Sequence, residues 1–116
     1  MTTRLSTRDA EGIAKALASG EPFTTHGALS GGPVRIGSAG RLGMLPPEHR
    51  SLWRQAIILA RNGHTFYAVW SYETPVAWRV DTGTWIVPGE SYSVTTTRHQ
   101  SRIRHAIYLA GGVMSS

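Results

Sequence analysis

The stretch that decides the fold is Tyr92-Ser-Val-Thr-Thr-Thr-Arg-His-Gln-Ser-Arg-Ile-Arg-His-Ala-Ile107. It opens with β-type residues at 92–95, and its threonines are typical caps for the helix that we predict at about 97–110. Successive helical residues are about 100° apart. One face is therefore mostly apolar and carries His99, Gln100, Ile103, Ala106, Ile107 and Ala110. The opposite face is polar and carries Arg98, Ser101, Arg102 and His105.

An aromatic block precedes this stretch and contains three of the four tryptophans. Its apolar residues alternate in three runs, at 64–72, 76–80 and 84–87. The links between the runs are too short for parallel crossovers. The sequence therefore predicts an antiparallel meander of three or four strands over about 64–95. Most of the aromatics should pack in the core, and we expect Trp85 and Tyr67 to be the exposed ones.

Further elements are predicted before the meander. Ser6-Thr-Arg-Asp9 has the form of a capping box, so we predict a helix at about 7–19. Pro46-Pro47 opens a second helix at about 47–61. Between these helices lies a glycine-rich ribbon, which we expect at the sheet edge or as a flap. Its predicted parts are β runs at 23–26 and 34–36 and a turn at 30–33.

These elements predict an α+β fold in which the meander packs against two or three helices. The chain of 116 residues is expected to form one domain. Its ends, residues 1–5 and 112–116, are expected to fray. An exposed sheet edge would allow a homodimer through strand pairing.

Composition narrows the functional classes. The chain has no cysteine, which excludes disulfides and thiolate metal sites and suits a reducing cytoplasm. No run approaches the roughly 20 apolar residues that a membrane span needs. The net charge is +5, and the segments 49–72 and 91–116 each contain three arginines and no carboxylate. Such segments can form positive surface that attracts polyanions. Alternatively, the excess of arginine over lysine reflects a GC-rich genome.

The first candidate site is a basic surface. Residues four and seven apart on a helix can meet successive phosphates, and each contact adds salt-dependent affinity. We therefore predict that the surface binds nucleic acid. Its residues are Arg98, Arg102, Arg104, His105, Arg50, Arg54 and Arg61. The alternative is an ordinary solvated helix face.

The second candidate site is a polar pocket at the strand-to-helix junction. It would be formed by Tyr92, Thr95, Thr96, His99 and Gln100, with the imidazole as a base. The alternative is a polar pair that fixes the junction by bonding to backbone groups. Both aspartates of the chain are explained by caps and turns, and no two histidines are four residues apart. We therefore predict no catalytic triad, no metal site and no cofactor.

Several short segments, in one order along the chain, carry a resemblance to a known family. They are Pro22-Phe-Thr-Thr25, Gly40-Arg-Leu, Leu45-Pro-Pro-Glu-His-Arg50, Tyr67-Ala-Val-Trp-Ser-Tyr-Glu-Thr-Pro-Val-Ala-Trp78, Gly83-Thr-Trp-Ile-Val-Pro88 and Tyr92-Ser-Val-Thr-Thr-Thr-Arg-His-Gln100. Together they resemble a family of small proteins encoded by actinobacteriophages, over about residues 21–100. The resemblance implies phage origin and a setting in the cytoplasm of the bacterial host. It implies no catalytic residues.

Two functions from different classes are predicted. The first is a non-enzymatic phage accessory protein that binds nucleic acid through the basic helical surface. The alternative is a phage effector that engages a host or defence protein. Such an effector would use the aromatic sheet face or residues 31–43.

Overall fold

The computed structural model describes residues 3–34, 42–43, 45–89 and 94–115. Within these ranges it has three helices and seven strands, which confirms the α+β class. The helices are α1 (Ala10–Ser19), α2 (Pro47–Arg61) and α3 (Val94–Leu109). The strands are β1 (Thr3–Leu5), β2 (Phe23–Thr25), β3 (Leu29–Pro33), β4 (Phe66–Ser71), β5 (Thr74–Val80), β6 (Trp85–Ile86) and β7 (Met114–Ser115). Among the described residues, no helix combines the length and apolar character that crossing a bilayer requires.

The strands form one sheet and lie in chain order from β1 to β7. Neighbours from β2 to β6 are antiparallel, whereas the outer pairs β1/β2 and β6/β7 are parallel. A parallel neighbour needs a crossover connection, and α1 supplies it at one edge and α3 at the other. The predicted meander therefore exists as β4–β6, but the sheet is larger and mixed.

The ends of the described chain take part in this sheet. Thr3 pairs with Phe23, and Met114 pairs with Trp85. The expected fraying is therefore wrong for β1 and β7. Neither strand was predicted, because a run of two or three residues shows no periodicity.

Helices cover both faces of the sheet. Along β4, Tyr67 and Val69 join a core cluster with α1 and α3, which is the first core. Phe66, Ala68 and Trp70 join a separate cluster with α2, which is the second core. This alternation is the one predicted from the sequence of the strand. The result is a three-layer arrangement with the sheet in the middle.

The prediction that Trp85 and Tyr67 are exposed is wrong. Both are buried, because α1 and α3 cover their face of the sheet. Their rings meet edge to face with centroids 5.8 Å apart. The Tyr67 hydroxyl donates to the carbonyl of Glu21 at 2.7 Å, and the Arg79 guanidinium lies 4.8 Å from the centroid of the Trp85 ring. The aromatic sheet face is therefore not open to a partner.

Trp53 of α2 organises the second core. Its side chain is fully buried. Its ring meets those of Phe66, Trp78 and Trp70 edge to face, with centroids 4.8, 5.2 and 5.9 Å apart. The helix runs over Pro47–Arg61 as predicted, since a proline in the first turn needs no donor N–H.

Helix α1 begins later than the predicted residue 7. Asp9 is the cap, and its carboxylate accepts from the amide of Gly12 at 2.9 Å. The hydroxyl of Ser6 accepts from the amide of Arg8 instead, at 3.2 Å. The predicted capping box therefore lies in a turn before the helix, and the side chain of Asp9 caps α1.

The described part of the glycine-rich ribbon forms β2 and β3, which are not at the sheet edge because they lie between β1 and β4. The predicted turn at 30–33 forms most of β3. A Cβ at Gly31 would lie 2.6 Å from Cε1 of Phe23, so glycine is needed here for close approach to a ring. β2 ends at Thr25, one residue earlier than predicted. Of the β run predicted at 34–36, residues 35 and 36 lie outside the described residues.

Helix α3 begins at Val94, three residues before the predicted start. Residues 94 and 95 are therefore helical, whereas they were predicted to end a fourth meander strand. The start of that predicted strand, residues 92 and 93, lies outside the described residues.

Candidate functional site

Helix α3 carries the larger part of the predicted basic surface. Its outward side holds Arg98 and His105, which are exposed, with the exposed Ser101 between them. Arg102 lies on one flank of this side and is half-buried. Arg104 follows two residues later, so about 200° of helical rotation place it on the other flank. The structure therefore aligns Arg98, Arg102 and His105 and sets Arg104 apart.

Among the described residues, none of these cations forms an ion pair with a carboxylate. Residues 91–116 contain no carboxylate, and among the described residues the one basic side chain within ion-pair distance of a carboxylate is His64, beside Asp81. Arg102 is less exposed than Arg98, and its Nη1 atom is buried. Within the described ranges, that atom has no hydrogen-bond partner. A guanidinium without a counterion is stabilised when an anion binds it.

The other three arginines of the predicted surface lie on the opposite face of the sheet, because α2 covers that face. Arg54 and Arg61 are exposed. The Arg50 guanidinium forms hydrogen bonds with the backbone. Its Nε donates to the carbonyl of Leu45 at 2.7 Å and its Nη2 donates to that of Gly43 at 3.4 Å. The seven predicted residues therefore do not form one continuous surface. The sequence predicted that both helices pack on the sheet, but not on which face.

A polar cluster joins the start of α3 to the end of β4. Ser71 Oγ lies 2.6 Å from His99 Nδ1 and 3.2 Å from Thr96 Oγ1. Gln100 Nε2 donates to the carbonyl of Pro88 at 3.0 Å. Three residues of the predicted pocket are therefore buried at this junction: Thr96, His99 and Gln100. The inward positions of His99 and Gln100 were expected from helical rotation.

The other two members of the predicted pocket are Thr95 and Tyr92. Thr95 is exposed and does not belong to the buried cluster. Tyr92 lies outside the described residues. Ser71 is the member that sequence reasoning missed, although alternation placed it on the same side of β4 as Tyr67 and Val69. What the alternation did not show is that α3 covers this side.

The chemistry of His99 favours a structural role. Burial, and to a smaller extent the nearby Arg102 guanidinium, lowers the pKa of His99 below its usual 6.5, so the ring is mostly neutral at pH 7. When Ser71 donates to Thr96, the neutral imidazole must donate its Nδ1 proton to Ser71, which leaves the serine unactivated. Ser71 is also fully buried, out of reach of a substrate. The cluster therefore fits the alternative prediction, in which polar groups fix the junction.

A second polar arrangement was not predicted. His64 Nδ1 lies 2.6 Å from Asp81 Oδ2, and the amide and hydroxyl of Thr65 donate to Asp81 Oδ1 at 2.9 and 3.1 Å. The hydrogen bond to His64, more than the amide bond from Thr65, holds the pKa of Asp81 below its usual 3.8. Asp81 also borders an open cavity of about 440 Å³ together with Arg79 and Tyr67. The partners are 17 residues apart, so no sequence spacing could reveal them.

Within the described ranges, no three His, Asp or Glu side chains come close enough together to hold a metal ion. The model of a family of unknown function, DUF8033, matches residues 41–110. The matched segment contains α2, α3 and the strands β4–β6. No curated protein and no solved structure matches the chain.

Proposed function

The chain belongs to the family of unknown function DUF8033, and we propose that it binds nucleic acid through the outward side of α3. The observation that carries this proposal is the alignment of Arg98, Arg102 and His105 on a segment without carboxylates. Four residues rise about 6 Å along a helix, so the two guanidinium groups can meet neighbouring phosphates. The row lies on an open helix face, which suits a polymeric anion better than a small one. The net charge of +5 would also attract such a partner over a longer range.

Fluorescence anisotropy with labelled DNA across a salt series tests the proposal. The double variant Arg98→Ala/Arg102→Ala removes two guanidinium groups from the proposed surface. The matched control, Arg54→Ala/Arg61→Ala, removes the same charge from the opposite face of the sheet. Each phosphate contact adds about 0.9 to the slope of log affinity against log salt for duplex DNA.

We expect the α3 double variant to bind more weakly and to lose up to about two units of salt slope. The α2 double variant should stay close to the wild type. Equal losses in both variants would mean that net charge alone attracts DNA, which contradicts a localised site. Absence of wild-type binding at low salt would reject the proposal.

We also propose that the protein is a phage accessory protein that acts in the cytoplasm of the bacterial host. The resemblance to actinobacteriophage proteins supports this setting, and the family match overlaps it over residues 41–100. Fractionation of infected host cells, followed by mass spectrometry of each fraction, would test the proposed location. Recovery of the protein in the cell envelope alone would contradict it.

A protein partner is the second candidate, and one observation favours it. Apolar side chains are exposed at the end of α3 and just beyond it: Tyr108, Leu109, Val113 and Met114. Affinity capture from a host lysate, with and without nuclease, separates the two functions. A partner that survives nuclease and is lost on Tyr108→Ala would favour the protein-binding function. Homodimer formation through strand pairing stays a prediction. The edge strands that would pair are β1 and β7, which are three and two residues long.

A further inference from the structure

The open cavity beside Asp81 lies where the end of α1 meets the strands β4 and β5. Its walls come from the last residues of α1, the end of β3, the start of β4 and the segment 79–82. Its volume is about 440 Å³. Pockets for small molecules usually measure about 300–1,000 Å³. The cavity therefore has the size that suits one small metabolite.

Arg79 supplies a positive charge to the wall of this cavity. Its Nη2 atom donates to the carbonyl of Leu17 at 3.0 Å, and the guanidinium lies 4.8 Å from the centroid of the Trp85 ring. Within the described part of the chain this is its one hydrogen bond, and no carboxylate lies within ion-pair distance of it. A guanidinium has five N–H donors in a rigid fork that matches a carboxylate. Donors of Arg79 therefore remain for an anionic group of a ligand.

Asp81 supplies the opposite charge to the same wall. Its Oδ1 atom accepts from the amide and the hydroxyl of Thr65, and its Oδ2 atom lies 2.6 Å from Nδ1 of His64. These bonds lower the pKa of Asp81, so the carboxylate is ionised at neutral pH. A carboxylate has about four acceptor sites. One site of Asp81 therefore remains for a cationic group, and the side chain is 48% exposed.

The two opposite charges border one cavity without neutralising each other. Arg79 and Asp81 are not within ion-pair distance, because each is bonded to other partners. An anion alone would meet the like charge of Asp81, and a cation alone would meet that of Arg79. A ligand that carries both charges can pair with both residues. Apolar wall is supplied by Ala18, Pro33 and Phe66.

We propose that this cavity binds an aliphatic α-amino acid as a zwitterion. Its carboxylate would bind to Arg79 and its ammonium group to Asp81, and its side chain would lie against the apolar wall. The inference goes beyond nucleic-acid binding and does not depend on it, since none of the described residues that line the cavity belongs to α3.

Isothermal titration calorimetry of the full chain with L-leucine tests the proposal. Isocaproate is the matched analogue without the ammonium group, and isoamylamine is the matched analogue without the carboxylate. L-leucine should bind, and each analogue should bind at least about tenfold more weakly, because it leaves one charge of the cavity without its partner.

A single variant identifies the residue that binds the ammonium group. Asp81→Asn removes the charge but keeps an oxygen that can accept from Thr65. It should weaken binding of L-leucine at least about tenfold and leave binding of isocaproate unchanged or stronger. The matched control is Glu48→Gln, which removes an exposed carboxylate from the first turn of α2 and should leave binding of L-leucine unchanged.

The outcomes are separable from those of the nucleic-acid function. Absence of binding at about 10 mM L-leucine, or similar affinities for L-leucine and both analogues, would overturn the proposal. The comparison of the three compounds uses the wild type, so it decides the matter even if Asp81→Asn does not fold. The variant Arg98→Ala/Arg102→Ala should bind L-leucine as the wild type does, whatever its effect on DNA.

Discussion

Replacement of Trp53 by alanine tests whether the second core stabilises the whole sheet. The side chain is fully buried and contacts three aromatic rings. Removing a buried tryptophan side chain costs about 3–5 kcal/mol through lost burial and the cavity left behind. Typical stability for 116 residues is about 6–17 kcal/mol. Trp53→Ala should therefore remove about a quarter to two fifths of the free energy of unfolding if the stability lies in the middle of that range.

Urea denaturation followed by far-ultraviolet circular dichroism measures this loss without relying on the fluorescence of the deleted residue. Leu52→Ala is the matched control, because Leu52 precedes Trp53 on α2 but is 39% exposed. The control should change stability by no more than about 1 kcal/mol. An equal, small effect of both changes would refute the reasoning that Trp53 organises this core. A changed urea dependence would instead show a changed compactness of the denatured or native state, or unfolding that is not a two-state process.

Three further predictions concern other parts of the fold. The pKa of His99 is lowered in the folded protein, so the unfolded chain binds a proton at His99 more readily. The free energy of unfolding should therefore have its full value above about pH 6.5 and decline as the pH falls below it. His99→Gln should flatten this decline in urea titrations at several pH values. Gly31→Ala should cost about 1–3 kcal/mol because its Cβ meets Phe23, whereas Gly89→Ala, with no atom nearby, should not destabilise. Tyr67→Phe leaves a backbone carbonyl without its donor and should lower the free energy of unfolding by about 1–3 kcal/mol in urea titrations; an unchanged value would mean that water replaces the hydroxyl.

The sequence predicted the elements that have strong local patterns. Helix α2 was predicted with its observed bounds, since its apolar spacing and opening prolines agree. The alternation along β4 was also correct, because one face of that strand meets α2 and the other meets α1 and α3. The inward position of His99 and Gln100 followed from helical rotation alone.

The errors come from contacts between distant parts of the chain. Nothing local shows that β1 pairs with β2, or that β7 returns to β6 after α3. Without these pairings, a third layer was not expected, and Trp85 was assigned to solvent. For the same reason, the arginines of α2 and α3 were predicted to lie on one surface. His64 and Asp81 were missed because turns bring them together from separate elements.

The anchoring of α3 differs between its two ends. The start of the helix is tied to the sheet by buried hydrogen bonds to Ser71, whereas its far end returns through β7, a strand of two residues. Amide hydrogens in the last turn should therefore exchange with deuterium sooner than those around Ile103, which is fully buried. Arg98 and Arg102 lie in the half of the helix that is expected to exchange slowly, so a ligand would meet guanidinium groups whose backbone is already ordered.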